Sequence, residues 1–90
     1  MRVFLLRTMR RTDKDVLKIM KRFNWHISQQ LIAESLRYHR NTVSASIIRL
    51  QRLGCLSPID PGRGWGRNHA RQYQFHPEVV TPDVLRWIDD

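Results

Sequence analysis

Arginine is the residue on which the chemistry of this chain must rest. Thirteen of the 16 basic side chains are arginine, set against 8 carboxylates, and the formal net charge is +8. A guanidinium presents a planar fork of donors that matches phosphate oxygens, or the major-groove edge of guanine, two at a time. The charge is unevenly spread. Residues 1–76 hold 15 basic and 4 acidic residues, a balance of +11, whereas residues 77–90 hold 1 and 4, a balance of −3. No carboxylate occurs from Arg37 through Ser57. Such a balance favours a polyanionic partner. Other chemistries lack their residues: His26, His39, His69, His76 and Cys55 are scattered without the paired spacing of a metal site. The glycines cluster before an expected strand rather than before a helix, so they make no phosphate-cradling loop. The carboxylates form no acid–base pair in a shared apolar setting. The chain is expected to be no enzyme, with no metal and no cofactor.

The arginines must be held by something, and the stretch Ile27–Leu56 supplies it. Ser28 is placed to cap a short helix carrying Leu31, Ile32, Ala33 and Leu36. Periodicity breaks at Arg37-Tyr38-His39 and resumes with Val43, Ile47, Leu50 and Leu53, one helical stripe that Gly54 is placed to end. Two helices joined by a three- or four-residue turn make a helix-turn-helix, whose second helix is the element that enters the DNA major groove. Opposite the apolar stripe lie Asn41, Ala45, Ile48 and Arg52, flanked by Arg40, Thr42, Ser44 and Arg49. An ordinary solvated helix mixes both charge signs to gain i,i+4 pairs. This one mixes arginine with small polar residues, which suits close approach to phosphates and base edges. Ile48 is the exception, and a partly covered flank is expected there.

The segment resembles a winged helix-turn-helix domain. The resemblance is carried by Leu31, Ala33-Glu34, Leu36, Thr42-Val43, Ile47, Leu50 and Leu53-Gly54. Ile32 stands as one residue more than the family pattern between Leu31 and Ala33. Arg37 occupies the turn position where glycine is commonest in the family, and a left-handed conformation there costs a non-glycine residue about 1 kcal/mol or more. His39 replaces the usual serine or threonine cap. The resemblance implies an α+β, mainly α fold: a three-helix core, a β-hairpin wing and short terminal elements.

The rest of the chain fits that plan. Val3-Phe4-Leu5-Leu6 suits a first strand or a short helix ending near Met9. Thr12 is placed to cap a first helix with Asp13 and Asp15 in its first turn and Val16, Ile19, Met20 and Phe23 as its inward face, Leu17 at the edge. The resemblance implies that Trp25-His26-Ile27 forms a short linking strand, and Trp25 is expected to cover the seam between the first two helices. Cys55–Asp60 and Ala70–His76 read as strands, Pro58 restricting the former to an edge. Residues 61–69 between them hold three glycines and a proline, a hairpin tip. Its Arg63 and Arg67, with Arg71 beside them, are expected to meet phosphate or the minor groove. Trp65 is compatible with folding back on the strands, stacking on a sugar or base, or meeting a protein partner. Thr81-Pro82-Asp83 starts a last short helix bearing Val84, Leu85, Trp87 and Ile88, which must dock on its own domain or on a second copy.

Residues 1–90 are thus expected to form one domain, with a core over 12–76, an extension over 1–11 and a short helix within 77–90. The single cysteine suggests a reducing, cytoplasmic setting, and no stretch approaches the roughly 18–20 apolar residues that span a bilayer. The expected function is sequence-specific binding of double-stranded DNA, as a small prokaryotic or viral transcriptional regulator working as a homodimer. The site would comprise Arg40, Asn41, Thr42, Ser44, Ala45 and Arg49 in the major groove, with Arg63, Trp65, Arg67 and Arg71 on the wing. Alternatives are a replication or recombination factor on the same fold, or a winged-helix module for protein or RNA. A protein partner could meet Trp65 or the terminal segments.

Overall fold

Asp13 decides where the first helix begins. In the computed structural model, which describes residues 9–59 and 70–89, helix α1 runs Arg11–Arg22 with Arg10, not Thr12, as its N-cap. The Asp13 carboxylate reaches back to accept the backbone N–H of Arg10 at 3.0 Å, the N3-to-N-cap half of a capping box. The inward face is also turned relative to the sequence expectation. Val16, Leu17 and Met20 are fully buried, while Ile19 is only partly buried and Phe23 is exposed. Leu17 lies beside Asp13 and Met20 on the i, i+3, i+4 face, so the helix rotates to bury Asp13 together with them.

Past α1 the chain reverses sharply. Asn24 and Trp25 both have positive φ, 57° and 64°, a conformation seldom taken by bulky side chains. It is held from both sides: the Trp25 N–H donates to Met20 O at 2.8 Å, and its carbonyl accepts from Tyr73 N–H at 2.9 Å. The Trp25 indole stacks on Phe75, with ring centroids 4.5 Å apart and planes within 8°. Trp25 is structural, as expected, but it packs on the sheet rather than over a helix seam.

Strand β1 (His26–Ile27) leads into helix α2 (Gln29–Leu36), whose N-cap Ser28 accepts the Leu31 N–H through its hydroxyl. Ile32 and Ala33 are buried and Leu31 is exposed. Ile32, and not Leu31, therefore packs inward beside Ala33. Helix α2 ends on Arg37 in the left-handed conformation, φ 60°. Three residues on, helix α3 runs Arg40–Arg52. Its C-terminus is a Schellman motif: Gly54 at φ 84°, its N–H to Gln51 O, and the Cys55 N–H to Leu50 O at 2.9 Å. Cys55 is thereby used to close the helix, and strand β2 spans only Leu56–Pro58.

Strand β3 (Arg71–Phe75) lies between β1 and β2 in a three-stranded antiparallel sheet of order β1-β3-β2. Leu56 faces Phe75 and Pro58 faces Tyr73, while Ile27 faces Arg71. Pro58 sits on an edge strand, where its missing N–H is tolerated. A 3₁₀ turn, Pro77–Val79, which the sequence pattern had not suggested, then passes the chain to helix α4 (Pro82–Asp89). That helix docks on its own domain. Val84 and Ile88 are buried in the common core, Trp87 lies under Lys18 Nζ at 4.8 Å, and Lys21 is paired with Asp89.

The architecture is α+β and mainly helical, with four α-helices and one antiparallel sheet among the described residues, compatible with a winged-helix-like fold. The Val3–Leu6 run and the hairpin tip with Arg63, Trp65 and Arg67 lie outside the described residues. No described helix is long and apolar enough to cross a membrane.

Candidate nucleic-acid interface

Helix α3 begins on His39, whose ring Nδ1 accepts the Asn41 N–H at 3.0 Å. Histidine does here what serine or threonine does elsewhere: it satisfies one of the orphan N–H groups of the first turn. The helix is then fixed from below. Val43, Ile47 and Leu50 are buried against the rest of the core, and so is Ser46.

Ser46 and Arg49 are held by Asp13. The Ser46 hydroxyl donates to Asp13 Oδ1 at 2.6 Å, Arg49 Nη2 donates to the same oxygen at 2.8 Å, and Arg49 Nε donates to Oδ2 at 3.0 Å. With the Arg10 N–H, four donors converge on one fully buried carboxylate. Burial alone would raise its pKa. The bonds from Arg49, Ser46 and the Arg10 backbone outweigh that and hold the carboxyl below its usual value. The same pairing raises Arg49, despite some desolvation. Asp13 thus ties the first turn of α1 to the middle of α3. A second tie joins α1 to the turn. The Tyr38 hydroxyl donates to Asp15 Oδ2 at 2.9 Å, and that bond, with burial and the carboxylate charge, raises the tyrosine pKa.

The expected major-groove set is accordingly divided. Arg40, Asn41, Thr42 and Ala45 are exposed on α3, and Ser44 is half-exposed beside them. Arg49 is different: its side chain keeps 29% of its exposure and its guanidinium is turned onto Asp13, so it does not point outward with the others. Two positions outside the expected set, Ile48 and Arg52, stand exposed on the outward face. Their signal was in the sequence, since both are in helical register with Asn41 and Ala45. Ile48 is not the covered flank that was expected. Gln29, Arg40, Asn41 and Ser44 line a cleft of about 300 Å³ between the starts of α2 and α3. A broader one runs along the turn past Arg37, His39 and Arg40.

On the hairpin, Arg71 opens β3 and is half-buried at the Ile27 pairing position. Arg63, Trp65 and Arg67, the other expected wing contacts, lie outside the described residues. The base of the hairpin is clamped by Ser57 Oγ and His76 Nε2, 2.9 Å apart, with Glu78 3.5 Å from the other ring nitrogen.

Cys55 is wholly buried, and burial, with the nearby Asp13 charge, pushes its thiol up to about 11. It packs as a small buried side chain directly after the end of α3. Comparisons with family models, with curated proteins and with solved structures returned no match.

Proposed function

We propose that this protein binds double-stranded DNA with sequence preference, laying the outward face of α3 in the major groove. One observation carries the reading. The side of α3 opposite its buried stripe is exposed and basic, and the chain from Arg37 through Ser57 holds no carboxylate to repel phosphate. Arg40 and Asn41, at the end of the helix nearest the turn, are the side chains able to make bidentate contacts with guanine and adenine edges. Thr42, Ser44 and Ala45 are small enough to let the helix approach. Arg52 replaces Arg49 at the far end of the contact surface, because Arg49 serves Asp13.

The hairpin completes the grip. Arg71 stands at its base, and Arg63 and Arg67 of the tip follow phosphate or the adjacent minor groove. Trp65 would add a stacking surface there. In this reading the protein is a small transcriptional regulator of prokaryotic or viral type that acts by occluding a promoter. Homodimer formation rests on the Val3–Leu6 run, because Val84 and Ile88 of α4 are buried in the protein's own core.

Selection of bound sequences from a random duplex pool, followed by footprinting of the enriched sequence in genomic fragments, tests the reading. A discrete site protected within a promoter supports it. Recovery of no common sequence, with uniform protection of every fragment, contradicts it.

A further inference from the structure

The outward stripe of α3 is not uniformly polar. Ile48 is 48% exposed in its middle, with exposed Ala45 beside it, and Asn41 and Arg52 at the two ends. At about 100° per residue these four fall within roughly 60° of arc, directly opposite Val43, Ile47 and Leu50. A β-branched residue on an exposed helix surface helps neither solubility nor helix propensity. The remaining large apolar side chains that are exposed among the described residues, Phe23, Leu31 and Ile59, are on other elements.

An apolar spot set among arginines matches one feature of duplex DNA. The major groove is lined by hydrogen-bonding groups and phosphates, and its apolar feature is the C5-methyl of thymine. Asn41, one and two turns before Ala45 and Ile48, is the side chain suited to the N6 and N7 of adenine. From Asn41 to Ile48 the helix rises roughly 10 Å, about three base-pair steps. A protein partner fits the patch less well, since exposed Arg40 and Arg52 stand towards the two ends of the helix and α3 itself holds no carboxylate.

We infer that α3 reads A·T base pairs through their methyl groups: Ile48 and Ala45 pack on thymine 5-methyls while Asn41 takes an adenine edge a few base pairs away. This rests on the duplex-binding reading above and adds the class of site to it. Ile48 is then a specificity-determining residue, and Arg52 holds the far end of the helix on the backbone.

Deoxyuridine tests this, because it keeps every hydrogen-bonding group of thymine and lacks only the methyl. The duplex enriched from a random pool is resynthesised with deoxyuridine replacing one thymine at a time, and each version is titrated with wild type and with Ile48→Ala. Loss of one buried methyl is expected to weaken wild-type binding on the order of fourfold at one or more thymines in the protected site. At the thymine facing Ile48, the Ile48→Ala protein is expected to bind both versions equally, with an unchanged denaturation midpoint. An enriched site without A·T pairs, indifference of wild type to every replacement, or full thymine preference in Ile48→Ala overturns the inference while leaving DNA binding in place. If no duplex is enriched at all, the duplex-binding reading itself has failed and this inference falls with it.

Discussion

Asp13 and Arg49 lie 36 residues apart and are joined by two hydrogen bonds of 2.8 and 3.0 Å, the Asp13 side chain fully buried and the Arg49 side chain half-buried. The pair fixes the rotation of α3 about its own axis, and with it which side chains face outward. Breaking a buried pair by removing one partner leaves the other charge uncompensated.

Asp13→Ala is therefore expected to destabilise the fold by about 3–5 kcal/mol, measured by denaturant unfolding at neutral pH. The acid limb gives a separate check on the same residue. The folded-state pKa of Asp13 lies below the ordinary 3.8. Its contribution is then fully present above about 3.8 and is lost as pH falls through the lower, folded value. Asp13→Asn should flatten that limb of the stability curve. An acid limb identical to wild type would place the loss of stability on other carboxylates.

Adjacent residues of α3 should behave oppositely. Ile47 is buried and Ile48 is exposed, so Ile47→Ala should cost about 2–5 kcal/mol, whereas Ile48→Ala should stay within about 0.5 kcal/mol of wild type. Equal midpoints for the two variants would mean the helix presents a different face to the core.

Arg37 holds the turn in a left-handed conformation that costs a non-glycine residue about 1 kcal/mol. Glycine adopts it freely. Arg37→Gly is thus expected to raise the unfolding midpoint by an amount corresponding to several tenths of a kcal/mol up to about 1 kcal/mol, part of the gain being offset by the greater entropy of the unfolded chain. A clear loss of stability would show that the Arg37 side chain, not its backbone, holds the turn.

The hairpin arginines make a prediction about salt. If Arg63 and Arg67 each neutralise a phosphate, replacing each by alanine should reduce the slope of log K against log salt by roughly 0.9. The preferred sequence should be kept. A slope unchanged in the double variant would remove the hairpin tip from the DNA.

Much of this arrangement was legible in the sequence. The stripe Val43, Ile47 and Leu50, the Ser28 cap and the Gly54 terminus follow from local signals, namely a 3.6-residue period, a capping hydroxyl and a left-handed glycine, whereas the short strand at His26–Ile27 was expected only from the resemblance to winged domains. What escaped depended on partners distant in the chain. Asp13 looked like a first-turn helix acid, and nothing local discloses that Ser46 and Arg49 will bury it. That burial rotates α1 to bring Leu17 inward and takes Arg49 from the outward face. Trp25 escaped similarly, since its positive φ is stabilised by Tyr73 and Phe75 from the far side of the hairpin. In α2, Leu31 and Ile32 are both apolar, and only packing determines that Ile32 turns inward.

If α3 reads base edges, its exposed face distinguishes one duplex from another. The measurement that tests it most directly is the ratio of affinities for the selected duplex and a scrambled one, taken at a fixed salt concentration for wild type, Arg40→Ala and Asn41→Ala. Both side chains are exposed, so both variants should keep the wild-type fold. Each should lose about 1–3 kcal/mol of discrimination, concentrated at one base pair, because each removes one bidentate contact. Variants that retain the full wild-type ratio, or a wild type that binds both duplexes equally, would contradict the assignment of base reading to α3.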